Sequence, residues 1–271
     1  MNKHLKNYFN SFKLKKEHRF TLLVDGLFLL IMSVGLYLFN ILITQRAYLI
    51  SGGKSTADIK QMLLSMDPVR AQAFLATLKS FMFLFTMGSI ILIVGGLFLY
   101  SFTRQRIWNY LTKHKSKYWK WNVLNLVLIL PLLIYLILFG LVKLVFTSLF
   151  HSIKNLWLAS FLNSLVSLFF LMLFVIFIFL VYYNFSKTYE AWNSIGQAFG
   201  ILKKKWSRIW PLFLFGISTS LLLSVLFWPI SKIFATYSVS TAYWLYGIFG
   251  GIATFLFMVW LRIYLFRTVK E

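Results

Sequence analysis

The sequence predicts an all-α, polytopic integral membrane protein with about six transmembrane helices, arranged as three hairpins with cytoplasmic amphipathic interfacial helices. The first reason is composition: 60% of the residues are hydrophobic and 13% are charged, whereas soluble domains are about 45–50% apolar and about 25% charged. The second is a set of six apolar runs, and the third is an uneven distribution of basic residues between them. Residues 1–271 are treated as a single helical membrane domain.

A helix that spans a bilayer needs roughly 20 mostly apolar residues. Successive runs that satisfy this requirement would pair as hairpins. Pro131 is expected to kink the third run because proline cannot donate a helical hydrogen bond. The six predicted spans are residues 21–43, 81–102, 123–146, 161–183, 210–228 and 243–266.

The basic residues predict the orientation in the membrane. Segments 1–20, 104–122 and 184–209, together with the C-terminal end from Arg262, carry 20 of the 28 Lys and Arg residues. Cytoplasmic connections are enriched in Lys and Arg. We therefore expect a multi-pass protein of the cell membrane with both termini in the cytoplasm. The net charge of +22 then favours anionic lipid headgroups on the cytoplasmic side as partners, and nucleic acid is not an expected partner.

The clearest helical periodicity lies in segment 184–209. Spacings of three and four residues place six apolar side chains on one stripe, namely Trp192, Ile195, Phe199, Leu202, Trp206 and Ile209. Lysines fall largely off this stripe, which is typical of a helix lying in the membrane interface. The alternative is a purely structural role, in which the segment fixes the ends of the spanning helices at the membrane interface. The candidate lipid- or partner-facing residues are Trp192, Phe199, Lys203, Lys204, Lys205 and Trp206.

The other two basic segments show weaker forms of the same pattern. Segment 104–122 is predicted to be a cytoplasmic amphipathic segment with its own stripe, formed by Ile107, Leu111, Tyr118 and Trp121. Segment 1–20 is a basic cytoplasmic segment that precedes the first span. Three interfacial segments of this kind would attract anionic lipid.

Residues 44–80 are predicted to be an outer loop with short helices. Asp67-Pro68 is expected to start a helix that runs into the second span, with Asp67 as the cap and Pro68 as the first helical residue. Two interpretations of the loop remain open, a lid over an outer vestibule and a connector packed at the interface.

A local pattern recurs where the even-numbered spans end. Tyr100, Tyr183 and Tyr264 each begin a short aromatic and basic stretch, and they are spaced at similar intervals in the sequence. This spacing favours an internal repeat of one basic segment and one hairpin. The alternative is that Tyr, Phe and Lys simply prefer membrane interfaces, and the sequence leaves the choice open.

Ionisable and amide side chains within the spans are functional candidates by default. The possible intramembrane polar residues are Asp25, Asn40, Asn125, Lys143 and Asn163. A transport path would require them to converge near mid-membrane, whereas packing roles would leave them scattered and bonded to neighbours. The sequence contains no Cys and only isolated His residues, so no catalytic, cofactor or metal site is predicted.

Residues 190–216, which include Glu190-Ala191-Trp192 and the stretch from Ala198 to Lys204, resemble the glycerophosphodiester phosphodiesterase membrane-anchor domains and their uncharacterised multi-span relatives. The resemblance implies a helical membrane module that has a short amphipathic helix leading into a span. No phosphodiesterase domain is present in the sequence, so that activity is not expected here.

These observations favour a non-enzymatic, membrane-embedded module that organises lipids or protein partners. The alternative is a small-solute transporter or channel, and an intramembrane enzyme is a third class for which no catalytic constellation is found. Gly247 and Gly251 form a G-x-x-x-G pattern, which permits close helix contact either within the chain or in a homo-oligomer.

Overall fold

The computed structural model describes residues 3–54, 56–235 and 239–270, and every regular element within these ranges is a helix. The helices are α1 (Lys3–Ser11), α2 (Lys16–Ser51), α3 (Thr56–Ser65), α4 (Pro68–Thr112), α5 (Tyr118–Val127), α6 (Ile129–His151), α7 (Leu156–Thr188), α8 (Ala191–Lys204), α9 (Trp206–Ala235) and α10 (Val239–Lys270).

Six helical stretches among the described residues are long and apolar enough to cross a membrane, which confirms the predicted number and their places in the sequence. They are Lys16–Ser51, Pro68–Thr112, Tyr118–His151, Leu156–Thr188, Trp206–Leu223 and Gly247–Lys270. Several of these helices extend well beyond the apolar runs. Backbone hydrogen bonding continues wherever no residue breaks it, so hydropathy marks the membrane-embedded part of a helix and not its ends.

The third spanning stretch is interrupted at Leu128, between α5 and α6. Pro131 follows three residues later and has no N–H to donate to the carbonyl of Val127, so the regular hydrogen-bond ladder fails at this point. The kink expected from Pro131 therefore appears as a break between two helices.

The expected loop 44–80 is largely helical. Gly52 and Gly53 have positive φ angles of 56° and 74° and end α2, because glycine adopts this region without a side-chain clash. Pro68 is the first residue of α4, and Asp67 Oδ1 accepts the backbone N–H groups of Val69 and Arg70 at 3.0 Å each. The predicted helix start at Asp67-Pro68 is confirmed.

Segment 104–122 differs from its prediction as one amphipathic helix. Helix α4 continues to Thr112, and α5 begins at Tyr118. The expected stripe is therefore divided between two helices, and three of its members, Ile107, Leu111 and Trp121, are buried inside the protein. Periodicity identified an apolar face correctly, but it did not show that the face packs against protein.

The chain forms two compact units, the larger made of residues 1–24 and 104–271 and the smaller made of residues 25–103. In the larger unit, α7 contacts α6, α8, α9 and α10, and α9 packs along α10. The second half of α7 lies in the core, with Ile176, Leu180 and Val181 fully buried.

In the smaller unit, α2 and α4 approach each other at glycine positions. A Cβ on Gly96 would lie 2.9 Å from the Met32 methyl carbon, and a Cβ on Gly88 would meet the ring of Phe39 closer than van der Waals contact allows. The rings of Phe28 and Tyr100 are 5.7 Å apart. Small residues thus create the space that larger side chains on the other helix fill.

We expect Gly88→Leu to lower the free energy of unfolding of the full chain by about 1–3 kcal/mol, because the added side chain must displace the Phe39 ring. Unfolding in detergent with increasing sodium dodecyl sulfate, followed by circular dichroism, measures the change. Gly95→Leu is the matched control, since no atom lies within 4 Å of a Cβ built there. Equal destabilisation by the two substitutions would contradict this packing arrangement.

Candidate functional site

The predicted lipid- or partner-facing residues lie along α8 and at its junction with α9. Trp192 and Phe199 are 64% and 60% exposed. Trp206, Lys203 and Lys204 are also exposed, whereas Lys205 is half-buried at the junction of α8 and α9. We call these six residues the α8 surface.

The expected six-residue stripe does not lie on one helix. Helix α8 ends at Lys204, and Lys205 leaves the helical conformation with φ −109° and ψ 23°. Ile195 and Ile209 are buried, while Trp192 and Phe199 remain exposed.

Small residues decide which face of α8 packs. Ser194, Ile195 and Ala198 are the buried residues of this helix, and the Ser194 hydroxyl lies 3.0 Å from that of Thr188 on α7. Ser194 and Ala198 allow close approach to α7, so the large aromatic side chains are displaced to the flank of the helix. The ring of Phe199 still touches Phe177, with centroids 4.7 Å apart.

The intramembrane amides of the larger unit do not meet. Tyr182 donates to Asn125 Oδ1 at 2.8 Å, and Thr147 donates to Asn163 Oδ1 at 3.4 Å. Tyr182 and Asn163 both lie on α7, and their separation in sequence corresponds to about 28 Å along the helix at 1.5 Å per residue. Asn125 and Asn163 therefore take part in separate interhelical contacts.

The other predicted polar residues have different surroundings. Lys143 is exposed, and its Nζ lies 5.8 Å from the centre of the Phe139 ring. In the smaller unit, Asn40 is exposed and Asp25 is buried.

A pocket of about 880 Å³, which we call the basic pocket, is formed in the larger unit. The start of α2, the end of α4, the connection to α5 and the end of α10 contribute to it. Its lining residues are Glu17, Phe20, Gln105, Arg106, Asn109, Tyr110, Leu111, Lys113, His114, Lys115, Ser116, Phe266 and Lys270.

Ser116 anchors the connection between α4 and α5. Its hydroxyl donates to Asn109 Oδ1 at 2.7 Å and accepts the indole N–H of Trp121 at 2.7 Å. The Gln105 side-chain amide donates to the Ser116 carbonyl. These bonds join the connection to both flanking helices, so this wall of the pocket has a defined conformation.

The backbone of the same connection is constrained at two further points. Lys113 adopts the left-handed conformation with φ 60°, which is uncommon for a residue with a side chain and ends α4 sharply. The Tyr189 hydroxyl donates to the Lys115 carbonyl at 3.0 Å. Lys113, His114 and Lys115 are consequently presented together on the exposed connection between α4 and α5.

The charge of the basic pocket is strongly positive. Arg106, Lys113, Lys115 and Lys270 line it, and Glu17 is the acidic residue among the described lining residues. The Glu17 carboxylate is bonded to Arg267 at 3.0 Å. The pocket therefore offers several cations and amide donors, which is the chemistry that recognises an anion.

Sequence reasoning identified parts of this pocket but did not join them. Segments 1–20 and 104–122 were recognised as basic, yet Lys270 lies at the other end of the chain. The available signal was the shared concentration of Lys and Arg at the ends of different spans. Only the packing of the helices shows which of these span ends come together.

A second cavity, of about 230 Å³, lies between α7, α9 and α10. Its described lining is mainly apolar, with Met172, Val175 and Phe257 among the residues, and Thr254 contributes a hydroxyl that donates to the Gly250 carbonyl at 2.8 Å. This cavity has the character of a packing space between spans.

The chain matches no protein-family model, no curated protein and no solved structure at a significant level. Within residues 3–54, 56–235 and 239–270, no three His, Asp or Glu side chains are grouped so as to hold a metal ion. The basic pocket and the α8 surface are accordingly the candidate functional sites.

Proposed function

We propose that the protein is a non-enzymatic module of the cell membrane that organises lipids or protein partners through basic interfacial segments on the cytoplasmic side. The observation that carries this proposal is the α8 surface, where exposed Trp192 and Phe199 accompany exposed Lys203 and Lys204 beside a spanning helix. Exposed aromatic rings suit the membrane–water boundary, and lysines beside them attract anionic headgroups.

The proposed topology has three hairpins and both termini in the cytoplasm. Ring contacts support the hairpin of α6 and α7, with Tyr135 stacked on Phe174 at 4.4 Å and Phe139 within 5.9 Å of Phe170. The two helices run antiparallel, since later residues of α6 meet earlier residues of α7. The excess of Lys and Arg in alternate connections supports the cytoplasmic orientation.

Small-solute transport is the alternative proposal, and the observations in the larger unit favour it less. A transport path would gather polar groups around a water-filled cavity. Asn125 and Asn163 instead bond to different neighbours, and the cavity between α7, α9 and α10 has a mainly apolar lining. The relationship of residues 190–216 to the anchor domains stays a prediction from sequence.

Replacing Lys203, Lys204 and Lys205 together by Gln tests the proposal. Each lysine near an anionic surface contributes about 1 kcal/mol, so we expect up to roughly a hundredfold weaker binding of phosphatidylglycerol. Native mass spectrometry of the full chain in mild detergent, titrated with phosphatidylglycerol or phosphatidylcholine, measures the bound lipid. Phosphatidylcholine binding is expected to stay unchanged because its headgroup has no net charge.

The matched control replaces Lys54, Lys60 and Lys79 by Gln. These three lysines are also exposed, but they lie in segment 44–80, which the proposed topology places on the outer side. This control should retain phosphatidylglycerol binding. We call the protein with Lys203, Lys204 and Lys205 replaced by Gln the α8 variant. Equal phosphatidylglycerol binding by the α8 variant, the control and the unmodified protein would reject the α8 surface as a lipid-binding site.

A further inference from the structure

We propose that the basic pocket is a specific binding site for the phosphate group of an anionic lipid headgroup. This inference rests on the proposed function, because it assumes that the protein binds lipid at its basic interface. It adds a second site, with a defined pocket and a defined ligand chemistry, that is distinct from the α8 surface.

The basic pocket carries an excess of positive charge. Lys113, Lys115 and Lys270 are exposed at the pocket, and Arg106 also lines it. Glu17 does not cancel this charge, since its carboxylate already accepts a hydrogen bond from Arg267 at 3.0 Å. The excess of cationic donors matches a phosphate, which presents acceptor oxygens and negative charge.

One wall of the basic pocket is held in place by hydrogen bonds within the protein. The connection between α4 and α5 is held by Ser116, Asn109 and Trp121, so its lysines are presented by a constrained backbone. A volume of about 880 Å³ falls within the range of about 300–1,000 Å³ typical of small-molecule sites. A constrained site loses less conformational entropy on binding than a flexible basic tail.

The depth of the basic pocket in the membrane favours a lipid over a soluble phosphate as its ligand. Phe20 immediately precedes the apolar run that starts at residue 21, and Phe266 closes the last apolar run. Phe20 stacks on Tyr110 with ring centroids 4.2 Å apart. The end of an apolar spanning run lies at the boundary between hydrocarbon and headgroups, and Tyr110 is of a type enriched at that boundary. The pocket therefore opens where lipid phosphates are found.

Replacing Lys113, Lys115 and Lys270 together by Gln tests the inference in the full chain. The ligands are short-chain phosphatidylglycerol, short-chain phosphatidylcholine and inorganic phosphate, each titrated into purified protein in mild detergent and followed by calorimetry. We expect two phosphatidylglycerol sites in the unmodified protein, one at the α8 surface and one at the basic pocket. The variant should keep the first and bind at the second with at least about tenfold weaker affinity. Inorganic phosphate is expected to bind much more weakly, because it lacks the apolar anchor.

The thermal unfolding midpoint is a second measurement, with and without phosphatidylglycerol. Lipid bound only by the folded state raises this midpoint, and the increase should be smaller in the pocket variant than in the unmodified protein even if its lipid-free stability has changed. Unchanged affinity and unchanged stabilisation in the pocket variant would overturn the inference. Equally tight binding of inorganic phosphate would overturn the assignment to a lipid.

The α8 variant separates this inference from the proposed function. Substitution of Lys203, Lys204 and Lys205 should weaken the site at the α8 surface and leave intact the site that the pocket variant loses. Loss of phosphatidylglycerol binding in the α8 variant alone would support the proposed function and reject the pocket. Lack of phosphatidylglycerol binding by the unmodified protein would reject both for this lipid class.

Discussion

Trp121→Ala is expected to lower the free energy of unfolding by about 3–5 kcal/mol, the range for removing a large aromatic side chain from a core. The Trp121 side chain is 0% exposed. Its ring meets Phe185 edge-on at 5.0 Å and lies 5.8 Å from Tyr182. The substitution also removes the indole N–H that Ser116 accepts, so both the core and one wall of the basic pocket lose support.

Trp119→Ala is the matched control for this prediction. Trp119 lies two residues earlier on the same helix and is 67% exposed, so its removal leaves no core cavity. Unfolding of both full-length variants in detergent with sodium dodecyl sulfate gives the two free energies. A smaller loss for Trp121→Ala than for Trp119→Ala would show that α5 does not pack as described.

Trp260→Ala is expected to have an effect of similar size, about 3–5 kcal/mol, and to release the N-terminal helix. The Trp260 ring stacks on Phe12 at 5.1 Å and on Tyr264 at 5.4 Å. Its indole N–H donates to the buried Ser11 hydroxyl at 2.7 Å. The substitution should therefore also accelerate tryptic cleavage after Lys13, which limited proteolysis in detergent measures.

Two comparison variants separate the contributions at Trp260. Trp260→Phe keeps an aromatic ring and removes the donor to Ser11, so we expect a smaller loss of about 1 kcal/mol, typical of one hydrogen bond. Trp157→Ala removes a residue that is 74% exposed and should leave cleavage after Lys13 unchanged. Unchanged cleavage in Trp260→Ala would mean that other contacts of α1, such as the stacking of Tyr8 on Phe215 at 4.4 Å, suffice to hold it.

The spans and the helix start at Asp67-Pro68 could be predicted because both depend on local chemistry. Transfer of an apolar run into a bilayer depends on its own length and composition. The cap depends on a carboxylate next to the first N–H groups of the helix, and Asp67 satisfies the N–H groups of Val69 and Arg70. Neighbouring helices are not needed for either result.

The amphipathic stripes were predicted less well because periodicity identifies a face without identifying what covers it. In segment 104–122 the apolar face packs against protein, and Ile107 is fully buried. On α8 the small residues Ser194 and Ala198 are buried, while the larger Trp192 stays exposed. Close packing selects side chains by shape as well as by hydrophobicity.

The amino-acid sequence by itself determined a strong excess of basic charge and, across the part of the chain that the structure describes, an all-helical fold with six apolar stretches long enough to span a membrane. Tertiary structure decided which basic residues come together. The basic pocket joins Glu17, Lys113 and Lys270 from distant parts of the chain, and their proximity depends on how the helix ends pack. Hydropathy is a property of each segment, whereas a pocket is a property of the contacts between segments.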